Sequence, residues 1–434
     1  MIVMKRIRFA MVAMAACLAL LTPAAALAQG HMLHGIGPVN SSMGGAGTAV
    51  TNESLGALMF NPALIAGAQG NQISFTTEFF KDGIRIDTTI GGRTGRMEPI
   101  NQLGVLPAFG WMTRHPEKKM ALGFGLLAIA GFRTDYHQSD ESILFAQPPG
   151  GFGRIYTDYR VTKVPVAVAF QATPKLQVGA SLNVYIGEFA VAPLPHKDFD
   201  EVPPGQNRFY PEAGSLRNSW AVAPQFGFVY QGRPHMNIGA SLTLPQNFKK
   251  YRWNSTIANP ASPNFGRART IEFDLDGPLI LSFGTALKLK EKTQLAIDGI
   301  FTKYEGVEGF GSPGGVVDRV VYPFGWRNVW TFKAGVQHQA TEKLAVRAGY
   351  NYSQMPLQGK VVLTMTGAPA TFQHHFSGGV GIRMFPFLQA EAGFYFVPRD
   401  HVRGPLPDLD NNVIGAMDTS NKLTSAQIGL NCGF

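Results

Sequence analysis

No segment of this chain is apolar for long enough to cross a bilayer as a helix. The longest candidate, Met120–Phe132 between Lys119 and Arg133, falls short of the ~18 residues such a helix needs. Cysteine is almost absent: Cys17 lies in the leader, so Cys432 stands alone afterwards and no internal disulfide forms. Charge is sparse, and no basic block with interleaved aromatics is present, which excludes a nucleic-acid partner of the usual kind. The chain has no Gly-x-Ser-x-Gly, His-Glu-x-x-His or phosphate-binding Gly-x-x-x-x-Gly-Lys-Ser/Thr, so an enzyme is not expected. His374 and His375 are neighbours on one strand and point to opposite faces, which keeps them from sharing a metal. Asp408-Leu-Asp-Asn-Asn lacks the full ligand spacing of a Ca²⁺ loop and reads as a solvated turn. Neither cofactor nor metal is expected.

The first residues give an address. Lys5, Arg6 and Arg8, the apolar run Phe9–Leu21 and Ala26-Leu27-Ala28 before Gln29 form a signal peptide over residues 1–28. Cys17 after Met-Ala-Ala invites a lipoprotein reading, but a further apolar stretch and a better cleavage site follow it. The formal charge of +9 includes the three leader bases. The remaining bases are scattered over turns and loops as a solvated rim, with contact to anionic lipid headgroups as a second reading.

What the chain has in abundance is period-two alternation. In Met236–Leu244 the even positions are apolar and the odd ones small or polar. Leu176, Val178, Ala180, Leu182, Val184 and Ile186 alternate with Gln177, Gly179, Ser181, Asn183 and Tyr185 in the same way. Period two means a strand with two unlike faces. The polar faces are rich in Gly, Ser, Asn and Gln, and many segments are long enough to span a bilayer as tilted strands. An exported chain without spanning helices satisfies its backbone in lipid only as a closed barrel.

Residues 29–70 are Gly- and Ala-rich, lack this alternation, and form a separate N-terminal segment. Residues 71–434 carry about fourteen strand candidates, an even count that suits a bacterial barrel. They include Asn71–Phe80, Met120–Gly131, Tyr156–Ala172, His235–Trp253, Arg269–Leu289 and the closing Lys422–Phe434. Tight links such as Thr173-Pro174, Lys290–Lys292 and Phe385–Phe387 alternate with long ones such as Phe189–Arg217 and Pro398–Asn421. Short periplasmic turns alternating with long outer loops is the outer-membrane pattern. The fold expected is an all-β, antiparallel transmembrane barrel.

The run Ser42–Leu64, with Gly44-Gly45-Ala46 and the Asn61-Pro62-Ala63 box, resembles the N-terminal hatch of the FadL family of outer-membrane long-chain fatty acid and hydrocarbon transporters. Trp330–Val336, Lys343–Tyr352 and Pro356 resemble a late barrel hairpin of the same family. The resemblance implies a fourteen-stranded barrel with a small hatch in its lumen. It also implies passive uptake of hydrophobic molecules across the bacterial outer membrane, most readily long-chain fatty acids. An aromatic hydrocarbon channel and a general porin or structural barrel are the other readings. Asn-Pro-Ala has a plainer account as the start of a short helix. For Phe60, Asn61, Pro62 and Ala63, gating and fold maintenance both stand.

Candidate site residues follow from phase and position. Met120–Gly131 has no hydrogen-bonding side chain in either phase, which suits a greasy conduit or a wall buried by the hatch. Gly123, Gly125 and Gly131 permit a break in that strand, where the family opens its wall sideways to the membrane. Phe189, Val191, Leu194, Phe199, Phe209 and Tyr210 in one long loop, with Tyr251 and Trp253 at the next, fall where the family captures its ligand; loop self-packing is the alternative. A fatty carboxylate needs a cation, and Lys163, Lys333 and Arg347 lie in inner phases. Lys333 and Arg347, joined through a tight turn, are expected to be near neighbours; pairing with acids such as Asp298 to hold the hatch is the alternative. Ile428, Leu430, Cys432 and Phe434 share one phase, so the terminal aromatic faces lipid and is expected to serve recognition by the barrel assembly machinery.

Overall fold

In the computed structural model, residues 30–434 are described, apart from 52, 101–102, 116, 148–150, 196–199, 201, 204–208 and 358. The signal peptide and Phe199 therefore lie outside the described residues. Fourteen strands form the barrel. They are β1 (Gly70–Asp82), β2 (Gly104–Arg114), β3 (Met120–Tyr136), β4 (Ile155–Thr173), β5 (Leu176–Ala192), β6 (Ala213–Arg233) and β7 (Met236–Thr243). There follow β8 (Leu279–Lys290), β9 (Thr293–Lys303), β10 (Val329–Gln339), β11 (Leu344–Ser353), β12 (His374–Phe385), β13 (Leu388–Pro407) and β14 (Val413–Gly433). Each pairs antiparallel with its neighbour in sequence, and β1 pairs with β14 to close the sheet. The seam reaches the last residue, where Asn71 N donates to Phe434 O at 2.8 Å and Phe434 N to Asn71 O at 3.0 Å.

The alternation now has a physical meaning. Phe79, Leu122, Phe124, Val166, Phe170, Leu182, Ile238, Phe332, Phe394 and Ile428 are all exposed, while polar residues one position away, such as Glu78, Ser181, Asn183, Lys333 and Gln427, are buried. That inversion of a soluble protein leaves the apolar face to lipid and the polar face to a filled lumen. No helix among the described residues is long and apolar enough to cross a membrane.

The lumen is filled by the hatch. Its elements are α1 (Gly37–Ser42), α2 (Ser54–Phe60) and a 3₁₀ turn over Pro62–Gly67, whose side chains are buried almost throughout. Such short helices are marginal alone and owe their form to this enclosure. Gly45 shows how close the fit is: its φ is +77°, and a Cβ there would lie 1.7 Å from His34 O.

Two expected strands are shorter than their alternation suggested. His235–Trp253 stops as β7 at Thr243, and Arg269–Leu289 begins in the barrel only at Leu279. Pro245 and Pro278 have no N–H for a ladder, so pairing breaks beside both. Tyr251–Thr256 and Ala268–Phe273 instead pair with each other as a hairpin in the outer loop. The opposite happens at Pro398–Asn421, read as a loop: β13 and β14 run on as a hairpin, and Arg85–Ile90 with Arg93–Met97 extends it.

Candidate functional site

The inward phase of three strands converges on one apolar pocket beneath the outer loops. Phe132 of β3, Ile155 and Thr157 of β4, and Phe189 and Val191 of β5 form its wall. Loop residues Leu194, Tyr210, Val321, Phe324 and Leu363 close it, leaving about 80 Å³ of free space with no charged side chain in the described lining. A wider vestibule of about 820 Å³ lies outside it and shares Phe152, Pro193, Tyr210, Val321 and Leu363. Arg154, Glu212 and Asp408 reach only this outer space. The arrangement is a funnel from a mixed mouth to a largely apolar throat with no charged side chain among its described residues.

Of the residues singled out in the sequence, Phe189, Val191, Leu194 and Tyr210 line the pocket, and Phe209 lines the vestibule. Tyr251 and Trp253 stand behind them: their rings lie 5.5 and 6.0 Å from that of Phe189, and both are fully buried. The Trp253 indole N–H donates to Ser215 O at 2.7 Å, which fixes this backing layer.

Sequence reasoning missed the floor. Phe310 stacks on Trp326 at 4.6 Å and tilts against Phe324 at 4.8 Å, with Tyr159 and Tyr304 edge-on. The hatch residue His31 lies flat on Phe310, at 4.3 Å and 12°, and its Nδ1 meets the Tyr304 hydroxyl at 3.1 Å. Burial lowers the His31 pKa to about 3, so the imidazole is neutral. The only sequence signal was a Gly-rich loop carrying Phe310, Phe324 and Trp326, and nothing in it revealed the partner.

The three candidate cations are engaged inside the barrel. Lys163 donates to Leu58 O and Met59 O, at 3.0 and 3.1 Å, at the C-terminal end of α2, and to Gln225 at 2.7 Å. Lys333 donates to His34 O at 2.7 Å and lies 4.5 Å from the Phe60 ring centre. Arg347 pairs with Glu391 at 2.7 Å and with Gln337 at 2.6 Å. Lys333 and Arg347 are not the close neighbours expected. Lys333 faces Asn351 across the ladder and Arg347 faces Gln337, because the turn sets a register that offsets them by four residues. Asp298, opposite Lys333, accepts from Gly47 N, Thr48 N and the Thr48 hydroxyl at 2.7–2.9 Å.

Asn61-Pro62-Ala63 is a joint. Pro62 keeps Asn61 extended, so its Oδ1 caps the 3₁₀ turn by accepting from Ala63 N at 3.1 Å. Its Nδ2 donates to Thr48 O at 2.7 Å within the hatch and to Phe228 O of β6 at 3.0 Å. Ala63 packs over Gly179 of β5, where a Cβ would lie 2.5 Å from Ala63 N.

The wall is incomplete at β3. Pairing with β2 runs from Arg114–Ala121 to Ala108–Leu127 and ends there, although both strands continue. On the other side, Pro165 interrupts pairing opposite Gly125, and a bulge falls at Ile129. The hatch takes part of the vacated edge: Leu33 N donates to Ile129 O at 2.9 Å and Gly131 N to His31 O at 2.8 Å. Gly123 and Gly125 face the hatch, and a Cβ at either would press on Leu58.

A family profile described as outer membrane protein transport protein (OMPP1/FadL/TodX) matches residues 18–405. The chain belongs to the FadL family. This FadL-family barrel is an outer-membrane transporter of hydrophobic compounds, not an enzyme. Among solved structures it resembles a FadL homologue of Pseudomonas aeruginosa, with a TM-score of 0.72 at 14% identity, over 93% of this chain and 100% of that one. The P. putida toluene transporter TodX aligns with a TM-score of 0.68 at 15% identity, over 93% and 99% of the two chains. The Ralstonia pickettii toluene transporter TbuX gives 0.64 at 18%, over 91% and 98%. These likenesses concern the fold. No curated protein sequence matches the chain.

Proposed function

We propose that this barrel imports uncharged hydrophobic molecules, with small aromatic hydrocarbons as the best-fitting class. The observation that carries this reading is the outer pocket, whose described lining is mostly aliphatic and aromatic, with Thr157, Thr364 and Thr366 as neutral polar side chains and no charged one. A carboxylate buried there would lack a counter-charge, a cost of several kcal/mol. The cations that a fatty acid would need, Lys163, Lys333 and Arg347, hold hatch carbonyls or Glu391 instead. Two relatives of this fold are toluene transporters, which supports the same class. The ligand enters the vestibule, partitions into the pocket against Phe189 and Val191, passes the aromatic floor, and leaves towards lipid at the unpaired edge between β2 and β3. The driving force is partition of apolar surface out of water, with no energy source required.

Labelled toluene uptake by cells lacking other channels of this kind tests the reading. The wild-type protein is expected to raise the initial rate several-fold over the empty vector, and Phe189→Ala to lower that gain. An inserted, heat-modifiable barrel that gives no increase would overturn it.

A further inference from the structure

The six short turns at the periplasmic end share a feature that the transport path does not use. Each carries an exposed base: Lys119, Lys175, Arg233, Lys290, Lys343 and Arg383. The β8–β9 turn adds Lys288 and Lys292, also exposed. The exposed turn acids Glu117, Glu291 and Glu342 leave a clear positive excess. None of these bases has an ion pair among the described residues. The ion pairs that are present lie elsewhere. Arg85–Glu98, Arg154–Asp135, Arg252–Glu272 and Arg319–Asp410 are on the outer side, and Arg347–Glu391 is in the lumen.

We infer that this rim is a binding surface for the anionic phospholipid headgroups of the periplasmic leaflet. Two features select lipid over a soluble acidic partner. First, sequential strands are spatial neighbours, so the six turns are spread around the barrel, whereas a docked protein would cover one arc. Second, the bases stand at the foot of the lipid-facing band. Along the barrel axis, Phe170 precedes the Lys175 turn, Tyr230 the Arg233 turn, Leu289 the turn after Lys290, and Ile382 and Met384 the turn between β12 and β13, all exposed. Long basic side chains one turn beyond an apolar belt meet the phosphate layer, where each base adds favourable energy to an anionic surface. The rim thereby fixes the depth of the barrel and gathers anionic lipid around its periplasmic mouth.

Native mass spectrometry of the purified mature barrel, in equimolar phosphatidylglycerol and phosphatidylethanolamine, tests this. The wild type is expected to retain phosphatidylglycerol about tenfold over phosphatidylethanolamine at low salt, with the preference falling as salt screens the rim. A variant with Lys119, Lys175, Arg233, Lys290, Lys343 and Arg383 all replaced by Gln should lose the preference, while Arg85→Gln with Arg252→Gln keeps it. Heat-modifiability reports whether the sixfold variant folds; if it does not, the salt series on the wild type decides. Equal retention of the two lipids by the wild type, or a preference insensitive to salt, would overturn the inference. So would competition by free glycerol phosphate as effective as by the intact lipid, which would mark a simple anion site.

Discussion

Replacing Asn61 with alanine is expected to loosen the hatch while the barrel stays folded. Asn61 is fully buried, and the change removes three hydrogen bonds at once, leaving Thr48 O, Phe228 O and Ala63 N without that partner. Buried groups left unpaired cost roughly 1–3 kcal/mol each, so the hatch should lose at least about 3 kcal/mol. That is more than a hundredfold in the population of loosened states. Hydrogen exchange over residues 54–67 should accelerate by that order, and planar-bilayer recordings should show transient ion currents that the wild type lacks. Asn61→Asp keeps the acceptor that caps the 3₁₀ turn but loses both donations, and should loosen the hatch as well. Unchanged protection in both variants would mean that the box only starts a helix and ties nothing.

Val191→Lys is expected to abolish toluene uptake. Val191 is buried in the pocket wall, and an ammonium there would stand among Phe189, Leu194, Phe324 and Leu363 with no acid in the described lining. An uncompensated charge is strongly disfavoured in such surroundings, so the pocket will hydrate or distort. Initial rates for toluene should drop at least about tenfold, as a loss of ~1.4 kcal/mol in binding already implies. Carboxylates of similar size should gain relative to toluene, because the new cation offers a partner. Val191→Leu, which conserves character, should transport nearly as the wild type does. Wild-type rates in Val191→Lys would place the pocket off the path.

The barrel was legible in the sequence because lipid and a plugged lumen make opposite demands on alternate residues. Ser181 and Asn183 against Leu182, or Lys333 against Phe332, report the face directly. Alternation alone does not say which sheet a strand joins. The Tyr251–Thr256 and Ala268–Phe273 hairpin carries the same pattern as a barrel strand, and only the breaks at Pro245 and Pro278 separate it. For the site, Phe189, Val191, Leu194 and Tyr210 could be picked out because apolar residues in a stretch read as a loop need cover. The structure corrects that reading for Phe189 and Val191, which belong to β5 and pair with β4. The floor of Phe310, Phe324 and Trp326 could not, because its position depends on which loop folds inward over His31. Phase marked Lys163 and Lys333 as inward. What they bind was settled by hatch carbonyls, which have no sequence signature.

The central claim, that the pocket takes uncharged rather than anionic hydrophobic molecules, is tested most directly by binding one alkyl tail with different heads to the purified barrel. Dodecane, dodecanol and dodecanoate, measured at a pH where the acid is ionised, share their apolar area and differ in charge. Dodecanol and dodecane are expected to bind at least about tenfold more tightly than dodecanoate, since only the latter carries an unpaired charge into the pocket. Dodecanoate binding as tightly as dodecanol, or more tightly, would contradict the account and point to a cation that reaches the ligand.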